Sequence, residues 1–225
     1  MVLFLKNKNK SARKDGKVYF YIKNKIMNAL IIVDVQNDFL PGGALAVNEG
    51  DTIIPAINAL QNDFDLVVAT QDWHPADHKS FASAHAGKKV FDEINWEGLP
   101  QVLWPDHCVQ ESYGAQFSSL LHTKKIEAIF RKGMDKNIDS YSGFFDNGKK
   151  KATGMGDYLK GKGVTAISVC GLAADYCVYF TALDGMELGF ESTIIPNATK
   201  AIHPENFEKL LHDFHAKEKH NRISF

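Results

Sequence analysis

Cysteine is scarce in this chain, with three in 225 residues: Cys108, Cys170 and Cys177. So small and odd a set does not build a secreted disulfide framework and fits a reducing cytoplasm better. Net charge is nearly missing too, with 26 Lys and Arg against 27 Asp and Glu. That balance argues against a nucleic-acid binder and against a polybasic membrane-surface protein. No run of about 18 apolar residues occurs, so no transmembrane helix is expected. The glycine signatures of phosphate binding are also missing: no G-x-G-x-x-G follows the first strand pattern, and no G-x-x-x-x-G-K-S/T occurs. What remains is 44% hydrophobic and 24% charged, the make-up of a globular protein long enough to bury a core without disulfide or metal.

The balanced charge hides an asymmetry. Residues 1–26 hold eight Lys and Arg against Asp15 alone, so the remainder carries a net −8. The short apolar stretch Val2–Leu5 is no secretory h-region, and no small-residue cleavage site follows it. Residues 1–26 are therefore set apart as a basic extension, disordered or non-native, and 27–225 as a single domain.

From Met27 onward, short apolar runs alternate with amphipathic stretches. Strands are expected at Leu30–Val33, Leu66–Thr70, Ala128–Arg131, Thr165–Cys170 and Ser192–Ile195. Helices are expected at about Thr52–Asn62, near Phe117–Leu121, and at Gly154–Lys160, Ala174–Leu188 and Pro204–His215. Gln71 to about Tyr113 reads as a long loop, of a length that usually has a function. The alternation predicts an α/β fold: a mostly parallel sheet flanked by helices on both faces, in three layers. In such sheets ligands sit beyond the carboxyl ends of the strands.

Those ends carry reactive side chains. Asp34 follows the first strand and Lys132 closes the third. Cys177 follows the fourth, after the small residues Gly171, Ala173 and Ala174. A cysteine in the first turn of a helix faces unpaired backbone N–H groups and the positive end of the dipole, which favour thiolate. The three together make a mechanism: a thiolate attacks a carbonyl, a carboxylate carries the proton to a leaving amine, and an ammonium steadies both charges. Cys108 and Cys170 read as core cysteines. The long loop adds Asp72, His74 and His78 in D-x-H-x3-H spacing, with His107 further on, a set suited to Zn²⁺, Fe²⁺ or Mn²⁺. His85, His122, His203, His212, His215 and His220 lack such a frame.

Ile31-Ile32-Val33-Asp34-Val35-Gln36-Asn37-Asp38-Phe39, Asp72-Trp73-His74-Pro75 with His78, and Trp104-Pro105-Asp106-His107-Cys108 resemble the bacterial nicotinamidases (pyrazinamidases). So do Arg131-Lys132-Gly133, the stretch from Ser140 to Asn147, and Gly171-Leu172-Ala173-Ala174-Asp175-Tyr176-Cys177-Val178. These enzymes lie within the isochorismatase-like cysteine hydrolases, and the likeness runs from Met27 to about His203. It implies that Cys177 is the nucleophile, Asp34 the general base and then acid, and Lys132 their ionic partner. It implies Asp72, His74, His78 and His107 as ligands of one divalent ion, zinc first with iron or manganese as alternatives, holding the ring nitrogen of the substrate. Ala173 and Cys177 would supply oxyanion N–H groups beside a cis Leu172–Ala173 bond. Phe39, Trp104 and Tyr141 would sandwich the pyridine ring. The implied reaction is hydrolysis of nicotinamide, and of pyrazinamide, through a cysteine thioester, as part of NAD salvage in the cytoplasm. A monomer or small homo-oligomer is expected, with a small-molecule substrate and neither nucleic acid nor membrane as partner.

Three rivals stand beside this reading: a related cysteine hydrolase acting on a different small amide or on isochorismate, a metallohydrolase in which Cys177 is incidental, and a non-catalytic sensor. The metal set argues against the first. The second would survive thiol alkylation. A sensor has no need of Asp34, Lys132 and Cys177 together.

Overall fold

The innermost strand of the chain, Met27–Val33, buries every residue from Ala29 to Val33. A run of this kind has no solvent face, so it must be covered on both sides. In the computed structural model its residues alternate between two cores. Leu30 and Ile32 join one hydrophobic cluster, and Ala29, Ile31 and Val33 join the other. Each large aliphatic side chain so buried contributes about 1.5–3 kcal/mol.

The structure describes the backbone of residues 11–14, 17–20 and 27–223, with side chains for 27–217. The basic extension lies outside the described residues except for β1 (Ser11–Lys14) and β2 (Lys17–Phe20), an antiparallel pair. The buried run is β3. It is joined by β4 (Leu66–Asp72), β7 (Ala128–Lys132), β8 (Val164–Gly171) and β9 (Glu191–Thr199) in a sheet of order β7-β4-β3-β8-β9, parallel throughout. Helix α1 (Ile54–Leu60) packs Ile54 and Ile57 into one core. Helices α2 (Met155–Gly161), α3 (Tyr179–Glu187) and α4 (Pro204–Ile223) cover the other with Met155, Leu159, Ala182 and Phe214. All five expected strands are present, in the expected three-layer α/β/α arrangement.

Two expectations fail. No helix forms near Phe117–Leu121. There Phe117 makes an isolated bridge with Gln36, and the Ser118 N–H donates to Val35 O at 2.9 Å, so the segment is tied to the end of β3 as a turn. The long loop is not structureless either: it folds back as the hairpin β5 (Glu93–Trp96) and β6 (Leu99–Val102). Its two-residue turn puts Glu97 at φ +50° and Gly98 at φ +85°, and a Glu-Gly pair is a weaker hairpin signal than Asn-Gly or Asp-Gly.

Glycine is required at the end of β8. Gly171 has φ +113°, and a Cβ there would lie 2.0 Å from Val33 O. That carbonyl accepts the Leu172 N–H at 2.9 Å, so the close approach aligns the ends of β3 and β8, from which Asp34 and Cys177 emerge.

Candidate active site

Three adjacent parallel strands, β7, β4 and β3, end in Lys132, Asp72 and, one residue past β3, Asp34. Asp34 has φ +48°, a left-handed turn that Asp tolerates better than most residues. It carries the chain out of the strand while the carboxylate stays buried. Cys177 reaches the same point from the next strand, within a π-helical turn, Ala174–Val178, that runs into α3.

Lys132 is the hub. Its Nζ donates to Asp72 Oδ1 at 2.8 Å, Ser140 O at 2.9 Å and Cys177 Sγ at 3.4 Å, which accounts for an ammonium's three donors. Asp34 Oδ2 is 2.9 Å from the same nitrogen but has no aligned hydrogen bond. Asp34 Oδ1 accepts from Thr70 Oγ1 at 2.7 Å. One oxygen of Asp34 is thus buried and held by the charge of the ammonium rather than by an aligned hydrogen bond. Carboxylate oxygens of Asp34 and Asp72 and the thiol sulfur all lie within 4.8 Å of one another.

The electrostatics correct one sequence-based expectation. Burial pushes the Cys177 thiol well above the usual cysteine range, although Lys132 pulls the other way. Helix-start position therefore does not leave a free-standing thiolate here: dry surroundings and the carboxylates of Asp34 and Asp72 outweigh it. Burial also raises the Asp34 carboxyl against the opposing charge of Lys132. A carboxylate made more basic beside a thiol held protonated is an arrangement for proton transfer at the moment of attack.

Next to this hub lies a histidine cluster. Despite burial, His74 and Lys132 hold the Asp72 carboxyl well below the usual range. His74 Nδ1 bonds Gly133 O at 2.9 Å, and His107 Nδ1 bonds Pro105 O at 2.8 Å. A carbonyl only accepts, so both rings carry a proton on Nδ1, which leaves Nε2 as the position open to a metal ion. Those Nε2 atoms lie 3.3 and 3.7 Å from Asp72 Oδ2. The Nε2 of His74 is buried without a hydrogen-bond partner. Asp72, His74 and His107 form one potential metal-holding group, whereas His78 groups with His74 and Asp139. His78 differs in tautomer as well: its Nδ1 accepts the Ser80 N–H at 3.1 Å, so in the neutral ring the proton sits on Nε2. Burial and the neighbouring His74 lower its pKa to about 4, so that ring is neutral at pH 7.

Two supports behind these ligands were not foreseen. The buried Gln36 side chain accepts the Asp72 N–H and donates to Asp72 O, both at 2.8 Å, fixing that residue's backbone. Gly133 stands against His74 at φ +65°, where a Cβ would fall 2.4 Å from the imidazole Cε1. Gly133→Ala is therefore expected to displace the ring and lower metal affinity about 10–100-fold, with only a modest fall in Tm. Metal titration of the apo protein checks this, and unchanged affinity would refute it.

A cavity of about 20 Å³ opens between the hub and the cluster. Phe39, Trp104, Tyr141, Ala173 and Cys177 all line it, as the sequence reading expects, and Asp72 and His107 reach it as well. Asp139, Tyr176, Leu45 and Ile202 line it too and were missed. Asp139 sits in a loop with no metal-like spacing, whereas Tyr176 stood inside a quoted motif without a role. The Leu172–Ala173 bond is cis. Around it the N–H groups of Leu172, Ala174, Tyr176 and Val178 are engaged by Val33 O, Lys200 O and Ala173 O.

The chain as a whole is similar to known proteins. The nicotinamidase of Escherichia coli (strain K12) is 48% identical over 178 residues, 77% of this chain and 83% of that one. The structure of an Acinetobacter baumanii nicotinamidase pyrazinamidase superposes with a TM-score of 0.83 at 43% identity, covering 87% of this chain and 95% of that one. A pyrazinamidase of Pyrococcus horikoshii, solved in complex with zinc, gives a TM-score of 0.70 at 38% identity, covering 85% and 96%. The isochorismatase domain model matches residues 28–217. With that match taking in all of the sheet but Met27 and every side chain of the hub and the cluster, the chain belongs to the isochorismatase-domain family.

Proposed function

We propose that this protein is a nicotinamidase, an amidohydrolase that cleaves the carboxamide C–N bond of nicotinamide to give nicotinate and ammonia. The observation that carries the reading is a buried Asp34 carboxylate beside the buried Cys177 thiol, with the Lys132 ammonium 2.9 Å from the one and 3.4 Å from the other. Asp34 takes the Sγ–H proton as sulfur adds to the carboxamide carbon, and the carbonyl electron pair moves onto oxygen. The amides of Ala173 and Cys177, both in the segment that lines the cavity, are the donors assigned to that oxyanion. When the intermediate collapses, the C–N bond breaks, the Asp34 proton passes to nitrogen and ammonia leaves a thioester behind. Water then gives a proton to Asp34 and attacks the same carbon. The C–S bond breaks, the proton returns to sulfur, and nicotinate departs.

The residues fit one divalent ion. Asp72, His74 and His107 would hold it. The proton on His78 Nε2, together with Asp139, suits hydrogen bonding to whatever completes its surroundings rather than direct ligation. Zinc leads, with iron and manganese as alternatives, because carboxylate and imidazole ligands accept all three. The ion would supply a Lewis-acid anchor for the ring nitrogen. Attack itself belongs to the thiol. Phe39, Trp104 and Tyr141 would clasp the ring by stacking and edge contacts. The role in NAD salvage and the cytoplasmic location follow from the same reading. Among the described residues no helix is long and apolar enough to cross a membrane.

Ammonia release from nicotinamide, measured before and after iodoacetamide, tests the proposal. Activity lost on alkylation supports it. Activity that survives alkylation points to the metallohydrolase. No activity with zinc, iron and manganese each resupplied points to a relative with another substrate. Chelation is expected to remove activity and one of the three ions to restore it. Full turnover by metal-free protein would remove the ion from the reaction.

A further inference from the structure

The cavity is narrow, about 20 Å³, and a flat ring bound in it lies against its walls. Phe39, Trp104 and Ala173 are each only 3% exposed, so how firmly the walls hold a ring depends on what braces them from outside.

Phe91 is such a brace. It stands at the tip of a turn closed by the Asp92 N–H on Lys89 O at 3.1 Å and the Lys89 N–H on Asp92 Oδ2 at 2.9 Å. The turn is fastened to the wall. The Phe91 N–H donates to Leu103 O at 2.6 Å and the Leu103 N–H to Asp92 O at 2.8 Å, one residue before Trp104. The Phe91 ring meets Trp104 edge-on at 6.0 Å and 88°, and His203 at 6.4 Å and 67°. Trp104 is one wall of the cavity, and Ile202, next to His203, is another. The loop with Ile202 and His203 is held by Asp175, whose carboxylate accepts both of their N–H groups at 2.9 and 2.8 Å. Phe91 therefore bridges two walls of the pocket from the solvent side.

Core packing does not explain this residue. The residue is 53% exposed, and its φ of +69° lies in the left-handed region that bulky side chains rarely adopt. An exposed apolar residue in a disfavoured conformation, set against two walls of one pocket, marks a functional constraint.

We infer that Phe91 is a specificity-determining clasp: its ring braces Trp104 and the Ile202–His203 loop from the solvent side so that they hold a flat aromatic amide between them. The inference rests on the nicotinamidase reading for the identity of the ring. It concerns binding rather than bond breaking, because Phe91 lies outside the Asp34–Lys132–Cys177 hub.

The test uses wild type, Phe91→Ala and Phe91→Tyr. Phe91→Ala is expected to raise KM for nicotinamide about tenfold, the equivalent of one aromatic contact. Its kcat should stay within about twofold, the pattern of lost uniform binding. Phe91→Tyr should restore KM, and Phe91→Ala should gain relative activity on a ring-methylated nicotinamide. Acrylamide quenching of Trp104 fluorescence, read as the difference between each protein and its Trp104→Phe counterpart, should rise in Phe91→Ala. Unchanged KM with unchanged quenching overturns the clasp, as does a fall in kcat at constant KM. Wild type that releases no ammonia would sink the nicotinamidase reading, and the quenching comparison would still decide the clasp.

Discussion

Cys177→Ala is expected to lower nicotinamide turnover by at least about 10⁴-fold, the scale seen when a catalytic nucleophile is removed. Metal content and fold should survive. The substitution deletes one sulfur at the cavity wall and keeps the Cβ. It leaves Lys132 with its partners Asp72, Asp34 and Ser140 O, so no buried charge is stranded. The Nε2 atoms of His74 and His107 are undisturbed, and ion binding should match wild type. Single-turnover and steady-state ammonia assays on metal-loaded variant check the first part, and elemental analysis the second. Sustained turnover would refute thiol attack.

Lys132→Met is expected to be the most destabilising of these changes, by about 3–5 kcal/mol, the usual result of removing one partner of a buried ion pair. Two buried carboxylates, Asp34 and Asp72, would lose their shared cation, and Ser140 O and Cys177 Sγ would lose a donor. In a chain of this size that corresponds to a Tm lower by about 10 °C. Activity should vanish as well. Since loss of folding alone could explain inactivity, the double variant Asp34→Asn with Lys132→Met separates the causes. It removes one stranded charge, so stability should return in part while activity does not. Equal stability of wild type and Lys132→Met in urea would contradict the hub described above.

Much of this was legible because the relevant signals are local. Short β-branched runs mark buried parallel strands, and parallel strands end together, so Asp34, Asp72, Lys132 and Cys177 could be brought to one edge before any coordinates. Phe39, Trp104 and Tyr141, expected to clasp the ring, came from motif likeness instead, and they line the cavity. The signals that failed are non-local or environmental. Phe117–Leu121 has a helical look, but the Ser118 N–H on Val35 O and the Asn37 N–H on Gln116 O override a one-turn propensity. Asp139 reaches His74 and His78 through a loop whose path no spacing encodes. The protonation of Cys177 depends on how dry the site is, which a position in a helix does not reveal. The different tautomer of His78 depends on a single N–H from Ser80.

The shared ammonium of Lys132 has one further consequence. In the proposed reaction, substrate anchoring and bond cleavage are not separable modules, because Asp72 would serve the seat of the ion while drawing on the same positive charge as Asp34 and Cys177. Neutralising Asp72 would return a larger share of that field to Asp34 and make it a weaker base. A lineage drifting away from its metal would therefore have to retune its chemistry in the same step. Evolutionary change at the two functions is bound together by one nitrogen atom.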